Sequence, residues 1–189
     1  MKGMTCLLIV LLIIGSYIFG TINGAYYIGK IYFRKDIREL GSTTAGARNA
    51  GRVFGKGAFI GAILVDAFKT FLPLGIGYML GLSPWVQALL ALSVLFGHIW
   101  PIQLGGKGGK GVVVYLAAVL MMVPVGLFAS FLLLLIVKLL KVKLTGVGLL
   151  ILVPAPIILF VQHEWQAAGL FSLMLIIVIF VHKRGVSIE

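Results

Sequence analysis

What constrains this chain most is the length of its apolar runs. Met4–Ile28, Gly57–Leu80, Trp85–Leu104, Val112–Val137, Leu144–Val161 and Gln166–Val181 account for most of the 189 residues and are almost free of charge. A run of ~20 apolar residues crosses the ~30 Å hydrocarbon core as a helix. Inside that core every backbone N–H and C=O must be satisfied within the segment or by neighbouring protein. The expectation is an all-α, polytopic membrane protein, a single domain over residues 1–189. Composition excludes the soluble alternative: 61% of residues are hydrophobic and 11% charged, with mean hydropathy +1.15, against about 45–50% and about 25% in soluble domains. A disordered chain, a collagen repeat and a disulfide framework are excluded too. The single cysteine, Cys6, allows no internal disulfide and no cysteine-based metal cluster. Met1–Ile14 begins as a signal peptide would, but the apolar character continues to Ile28 without a small-residue cleavage site. It reads as a retained first span.

Sixteen Lys and Arg against five Asp and Glu give a net charge of +11. In a soluble chain that excess points to nucleic acid. Here the basic residues lie between apolar runs, so they read as topology signals and anion-binding groups, with no nucleic-acid partner. Apart from Lys2 and Lys69 they fall in four places: Lys30–Lys56, which holds seven of them, Gly105–Gly111, Lys138 with Lys141 and Lys143, and Lys183–Arg184. Cytoplasmic loops carry the excess of Lys and Arg. An unbroken Val112–Val137 would put two of these clusters outside, whereas a break near Pro124 puts all four inside. The expectation is therefore seven transmembrane segments, two of them short and broken near Pro124, with the N-terminus outside and the C-terminus cytoplasmic. Gly81–Pro84 reads as a turn. Gly15, Gly20 and Gly24 suit close helix packing or a dimer contact. No second chain is required by any motif, and oligomeric state is left open.

Three clusters carry chemistry. Asp36–Arg52 alternates glycine, small hydroxyls, an amide and arginine; such a loop can fold around a phosphate, with arginine in bidentate contact. Gly105-Gly106-Lys107-Gly108-Gly109-Lys110-Gly111 precedes an apolar run and would offer backbone donors and two ammonium groups at a helix N-terminus. It is not a nucleotide-binding P-loop, because Leu104 stands where the first glycine is required and Gly111 where Ser or Thr is required. Asp66 and Lys69 lie inside an apolar run. Intramembrane charges are costly, and their three-residue spacing puts them on one helical face, where they can pair. Three histidines and five acidic residues, scattered along the chain, give no metal-ligand spacing. All the basic chemistry lies on one face at the ends of apolar spans. That suits a substrate with an anionic head and a fatty tail, and a second anion from the cytoplasm.

These motifs resemble the small bacterial membrane acyl-phosphate:glycerol-3-phosphate acyltransferases, the PlsY family. The resemblance rests on Asp36 through Arg52 followed by Gly55-Lys56, on Asp66-x-x-Lys69, on Gly97-His98-Ile99-Trp100-Pro101, and on Lys107-Gly108-Gly109-Lys110-Gly111-Val112. Gly15-Ser16, Phe19-Gly20 and Ile28-Gly29-Lys30 extend it to the first span, so it covers essentially the whole chain. It implies a seven-span fold in the bacterial cytoplasmic membrane with the active site on the cytoplasmic face. It implies transfer of a fatty acyl group from acyl-phosphate to the 1-hydroxyl of glycerol 3-phosphate, giving lysophosphatidic acid, without acyl-CoA, cofactor or metal. Carried over by position, Ser42, Asn49 and Arg52 match the first motif, Lys107 and Lys110 the phosphate-binding motif, and His182 the C-terminal motif. Thr43, Thr44 and Arg48 stand where the family pattern has Gly, Asn and Thr, and Gly185 stands where it has Asn.

The expected roles follow. Ser42, His182 and Lys110 are the catalytic candidates. Asn49, Arg52, His98, Lys107 and the glycines Gly105, Gly106, Gly108, Gly109 and Gly111 are the substrate- and phosphate-binding candidates. Asp66 and Lys69 support the site. The general base is either His182 or a substrate phosphate. Two other readings stay open. An anion or phospholipid transporter would use the same basic loops but needs polar groups at the midplane and on both faces. A silent relative would fit the motif departures.

Overall fold

The computed structural model describes residues 2–140 and 149–184. Lys141, Lys143, the beginning of the Leu144–Val161 run and the tail from Gly185 lie outside the described residues. Among the described residues, every regular element is helical: α1 Lys2–Gly20, α2 Gly24–Tyr32, α3 Ala47–Phe54, α4 Lys56–Met79, α5 Pro84–Ile99, α6 Val112–Met122, α7 Pro124–Leu139, α8 Pro154–Val161 and α9 Trp165–Arg184. Short 3-10 turns stand at Ile37–Glu39, Ile102–Leu104 and Leu150–Leu152.

Three of these helices are long and apolar enough to cross a membrane among the described residues: α4, α5 with its extension to Leu104, and α9. Helices α1 and α2 make a fourth candidate span, bent by 44°. The first run, expected as one helix over Met4–Ile28, is therefore two. Its break falls at Thr21-Ile22-Asn23, where side chains from elsewhere satisfy the freed backbone. Pro124 breaks the fourth run as expected. Helix α6 stops at Met122 and Pro124 occupies the first position of α7, where its missing N–H costs nothing. Helix α5 ends at Ile99, five residues short of the expected Leu104, because the chain turns at Trp100-Pro101.

Helix α5 is the centre of the packing. Its Leu90, Val94 and Leu95 are buried against Tyr115 of α6 and Phe171, Met174 and Val178 of α9. The Tyr115 hydroxyl donates to the Leu152 carbonyl at 3.0 Å, so its one polar atom is satisfied inside the core. Helix α1 lies against α5 at backbone distance. A Cβ on Gly20 would overlap the Val94 carbonyl, and one on Gly97 would overlap the Tyr17 carbonyl. Gly15, by contrast, faces open space. Gly97→Val is therefore expected to cost at least the ~1–3 kcal/mol of core overpacking, because the obstructing atoms are backbone. A thermal midpoint measured in detergent should fall for Gly97→Val and stay unchanged for Gly15→Val.

Candidate functional site

The break in the first span explains the charges in α4. Lys69 Nζ lies 2.9 Å from Asp66 Oδ1, and the two residues are 2% and 1% exposed. The ammonium also donates to the Ile22 carbonyl at 2.7 Å, and the Gly24 N–H at the start of α2 donates to Asp66 Oδ1 at 3.3 Å. One charge thus covers a carbonyl left open after α1, and the other covers an amide left open before α2. Each has the sign that its helix end favours. The third Lys69 partner is His98 Nδ1, at 2.8 Å. Asn23, fully buried, donates through Nδ2 to the His98 carbonyl at 3.0 Å. Gln103 Nε2 donates to the Thr21 carbonyl at 2.8 Å, closing the bend from the other side.

Two loops meet above this network. In the first, Asn49 is buried and its amide is fully used: Oδ1 accepts from the Ser42 N–H at 2.9 Å, and Nδ2 faces the carbonyls of Leu40 at 2.9 Å, Thr44 at 3.0 Å and Ile37 at 3.2 Å. Asn49 therefore holds the loop in shape, and its donors are turned inward. Ser42 and Thr44 hydroxyls lie 3.2 Å apart. Helix α3 buries Ala47 and Ala50 against Ala25 of α2 and Ala58 and Ala62 of α4, which leaves Arg48 and Arg52, one turn apart, on its exposed face.

Arg38 ties this loop to the second. Its Nε and Nη2 donate to Asp36 at 3.0 and 2.8 Å, its Nη1 donates to the Leu104 carbonyl at 2.8 Å, and its guanidinium lies 4.9 Å from the Tyr26 ring centre. The Arg38 side-chain hydrogen bonds hold the Asp36 carboxyl down at about 2, from an ordinary 3.8. Burial opposes this, while the Arg38 N–H and the charges of Arg38 and Lys30 add to it. A carboxylate whose folded value lies below its unfolded one stabilises fully above the unfolded value and loses that stabilisation as pH falls through the folded one. Asp36→Asn should therefore melt below the parent at pH ~6, and the two midpoints should converge near pH ~2.

The second loop runs from Gly105 to Gly111. Its backbone donors, expected to face a phosphate, are largely committed within the protein. Gly105 donates to Ile102, Gly106 to Pro101, Lys107 to Leu104, Gly108 to Ile99 and Gly109 to His98, at 3.0–3.4 Å. The Gly108 carbonyl in turn accepts from the Ala45 N–H at 3.2 Å, so the two loops are joined through their backbones. Glycine is required here by close approach: a Cβ on Gly108 would overlap the His98 carbonyl, and one on Gly109 would overlap His98 Nε2. Gly111, at φ +81°, closes the loop and caps α6.

Between the loops opens a cleft of about 240 Å³, lined by Thr43 and Thr44 on one side, Gly106 through Lys110 on the other, and Ile99, Trp100 and Val181 at its apolar edge. Lys110 and Lys107 both line it. His182, near the end of α9, stands close enough to Lys110 and Arg48 to feel both charges, and its Nδ1 is buried without a hydrogen-bond partner among the described residues. His98 lies beneath the loop and outside the cleft lining. Among the described residues, no three His, Cys, Asp or Glu side chains are grouped to hold a metal ion.

A family model described as glycerol-3-phosphate acyltransferase matches residues 10–187. The chain belongs to that family. It is 34% identical over 177 residues to glycerol-3-phosphate acyltransferase 1 of Desulfitobacterium hafniense, covering 93% of this chain and 87% of that one. It is 45% identical over 111 residues to glycerol-3-phosphate acyltransferase 1 of Bacillus cereus, covering 58% of this chain and 60% of that one. Its fold matches the crystal structure of PlsY, an integral membrane glycerol 3-phosphate acyltransferase, in the glycerol 3-phosphate form, with TM-score 0.82 and 28% identity over 95% of this chain and 90% of that one. The lysophosphatidic acid form of the same protein gives TM-score 0.80. This member of the family is accordingly an integral membrane protein.

Sequence reasoning missed Asn23, Arg38 and Gln103. Asn23 carried a readable signal, since a polar side chain within an apolar run marks a buried partner. Arg38 carried half of one, its pairing with Asp36 two residues earlier, but its bond to the Leu104 carbonyl and that of Gln103 to the Thr21 carbonyl span more than sixty positions and left no local mark.

Proposed function

We propose that this protein transfers a fatty acyl group from acyl-phosphate to the 1-hydroxyl of glycerol 3-phosphate, releasing lysophosphatidic acid and inorganic phosphate. The observation that carries this reading is the cleft itself: two lysines face two threonines at the ends of apolar helices, with an apolar edge at Trp100 and Val181. At about 240 Å³ the cleft is smaller than the ~300–1,000 Å³ of sites that enclose a whole drug-sized ligand. It suits a phosphorylated headgroup whose tail stays in lipid.

The chemistry needs little from the protein. An acyl phosphate is a mixed anhydride and is already activated. The acceptor hydroxyl attacks the acyl carbon, a C–O bond forms, the C–O bond to phosphate breaks, and phosphate leaves with the electron pair. Lys107 and Lys110 bind and neutralise that phosphate. Arg52, with Arg48 one turn away, takes the phosphate of the acceptor, and Ser42, presented by the Asn49-braced loop, orients it. Holding two anions in register supplies most of the acceleration. The acceptor proton goes either to His182 or to the departing phosphate. His182→Ala separates the two: loss of the alkaline-limited rise in rate assigns the proton to His182, and an unchanged pH profile assigns it to phosphate.

The same reading places α6 and α7 as the two short segments of a seven-span chain in the bacterial cytoplasmic membrane, with both loops on the cytoplasmic side. The test uses purified protein in lipid with palmitoyl phosphate and radiolabelled glycerol 3-phosphate, and palmitoyl-CoA as a parallel donor. Labelled lysophosphatidic acid from the phosphate donor alone is the expected result. No product from either donor, in folded protein, would overturn it.

A further inference from the structure

A buried ion pair that only closed a bend in the first span would need no histidine. Yet Lys69 also reaches His98, and His98 is the residue on which the glycine loop rests. The ammonium has three donors, and Asp66, Ile22 and His98 Nδ1 take all three, at 2.9, 2.7 and 2.8 Å. Nδ1 is therefore an acceptor, and the neutral ring carries its proton on Nε2. That edge of the ring faces Gly109 so closely that no side chain fits between them, and the Ala45 carbonyl borders the same spot. The His98 carbonyl is fixed as well, between the Gly109 N–H at 3.1 Å and Asn23 Nδ2 at 3.0 Å.

We propose that His98 is a positioning residue: the Asp66–Lys69–His98 network fixes the Gly108–Gly109 backbone, and through it the placement of Lys107 and Lys110 around the substrate phosphoryl group. This rests on reading the cleft as a phosphate site. The network is fixed by the bend between α1 and α2, so the geometry of the first span reaches the cleft through the His98 ring, beside the Asn23–His98 and Gln103–Thr21 hydrogen bonds.

Two near-isosteric substitutions separate this role from simple support of Lys69. His98→Asn keeps an acceptor where Nδ1 stands and loses the group at Nε2. His98→Gln places an amide N–H where Nε2 stands and loses the acceptor for Lys69. If His98 only satisfied Lys69, Asn would be the milder change. If it positions the loop, Gln is. The probe is hexadecylphosphonate, a non-transferable analogue of the donor headgroup, titrated calorimetrically into each detergent-solubilised protein, with KM for palmitoyl phosphate and for glycerol 3-phosphate measured in parallel.

The expected result for His98→Asn is binding weakened between about 10- and 100-fold, as follows from displacing a binding group by a fraction of an ångström to 1 Å. The donor KM should rise with it while the acceptor KM holds, and His98→Gln, which keeps a group against Gly109 but releases Lys69, should recover part of the affinity. Unchanged phosphonate binding in folded His98→Asn, or His98→Gln as weak as His98→Asn, overturns the proposal. Should His98→Asn fail to fold, Asp66→Asn/Lys69→Met removes both charges at once, a replacement that buried pairs often tolerate. A loss comparable to that of His98→Gln is expected there, because both variants cut the Lys69 link to the ring, and wild-type affinity overturns the proposal. A wild-type protein that binds the phosphonate but makes no lysophosphatidic acid sinks the proposed activity and leaves the positioning role standing. A wild-type protein that binds no phosphonate sinks the positioning role.

Discussion

Asp66→Ala is expected to remove about 3–5 kcal/mol of folding stability, the cost of leaving a buried charge without its partner. Lys69 is 2% exposed, so water cannot replace the carboxylate. The Gly24 N–H loses its acceptor in the same step, and the bend between α1 and α2 loses one of its two caps. Against a typical total of about 5–15 kcal/mol this removes a large part of the margin, read as a large fall in thermal midpoint and as loss of monodisperse protein on size exclusion at a lower temperature than for the parent. The coupled variant Asp66→Asn/Lys69→Met should recover most of that loss, because the cost lies in the uncompensated charge. An Asp66→Ala protein that melts with the parent would show that the bend needs no charged cap.

Lys110→Ala should leave the midpoint where it is and lower kcat/KM by about 100- to 1,000-fold, the usual effect of deleting one group that stabilises developing anionic charge. Lys110 lines the cleft next to Gly109 and shares its corner with His182. In the proposed reaction the departing phosphate gathers its charge against this side chain. Lys107 also lines the cleft but is the more exposed of the two, so water screens it more and its replacement should cost less. A Lys110→Ala enzyme with parental kinetics would move the phosphate site elsewhere.

Local signals were legible in the sequence, and long-range partners were not. The length of the apolar runs reports on helices because lipid leaves the backbone no other solution, and Pro124 marks a break because it lacks an N–H. Asp66 and Lys69 could be read as a pair from their spacing. Their task could not, since the bend they cap lies more than forty positions earlier. The first span read as continuous because Thr21 and Asn23, like Thr5 and Ser16, are scattered polar residues in a long apolar run, and nothing local shows that α4 will supply what the broken backbone needs. The glycines of the second loop signalled an unusual backbone, but two causes give the same composition. Glycine can free N–H groups for a ligand or let chain pack on chain, and only the position of His98 decides for packing at Gly108 and Gly109. Asn49 was marked by the motif as important, while its amide spends its bonds on Ser42, Leu40 and Thr44.

The commitment of those loop amides has a thermodynamic consequence. A glycine-rich segment that ordered only around its ligand would surrender its backbone freedom at each encounter, at roughly 1–2 kcal/mol per residue. Here Gly105 through Gly109 are already bonded to Ile102, Pro101, Leu104, Ile99 and His98, so that entropy is lost once, during folding. Association of a phosphorylated headgroup should then show a small entropic penalty and little change in loop hydrogen exchange, the signature of a receptor built before its guest arrives.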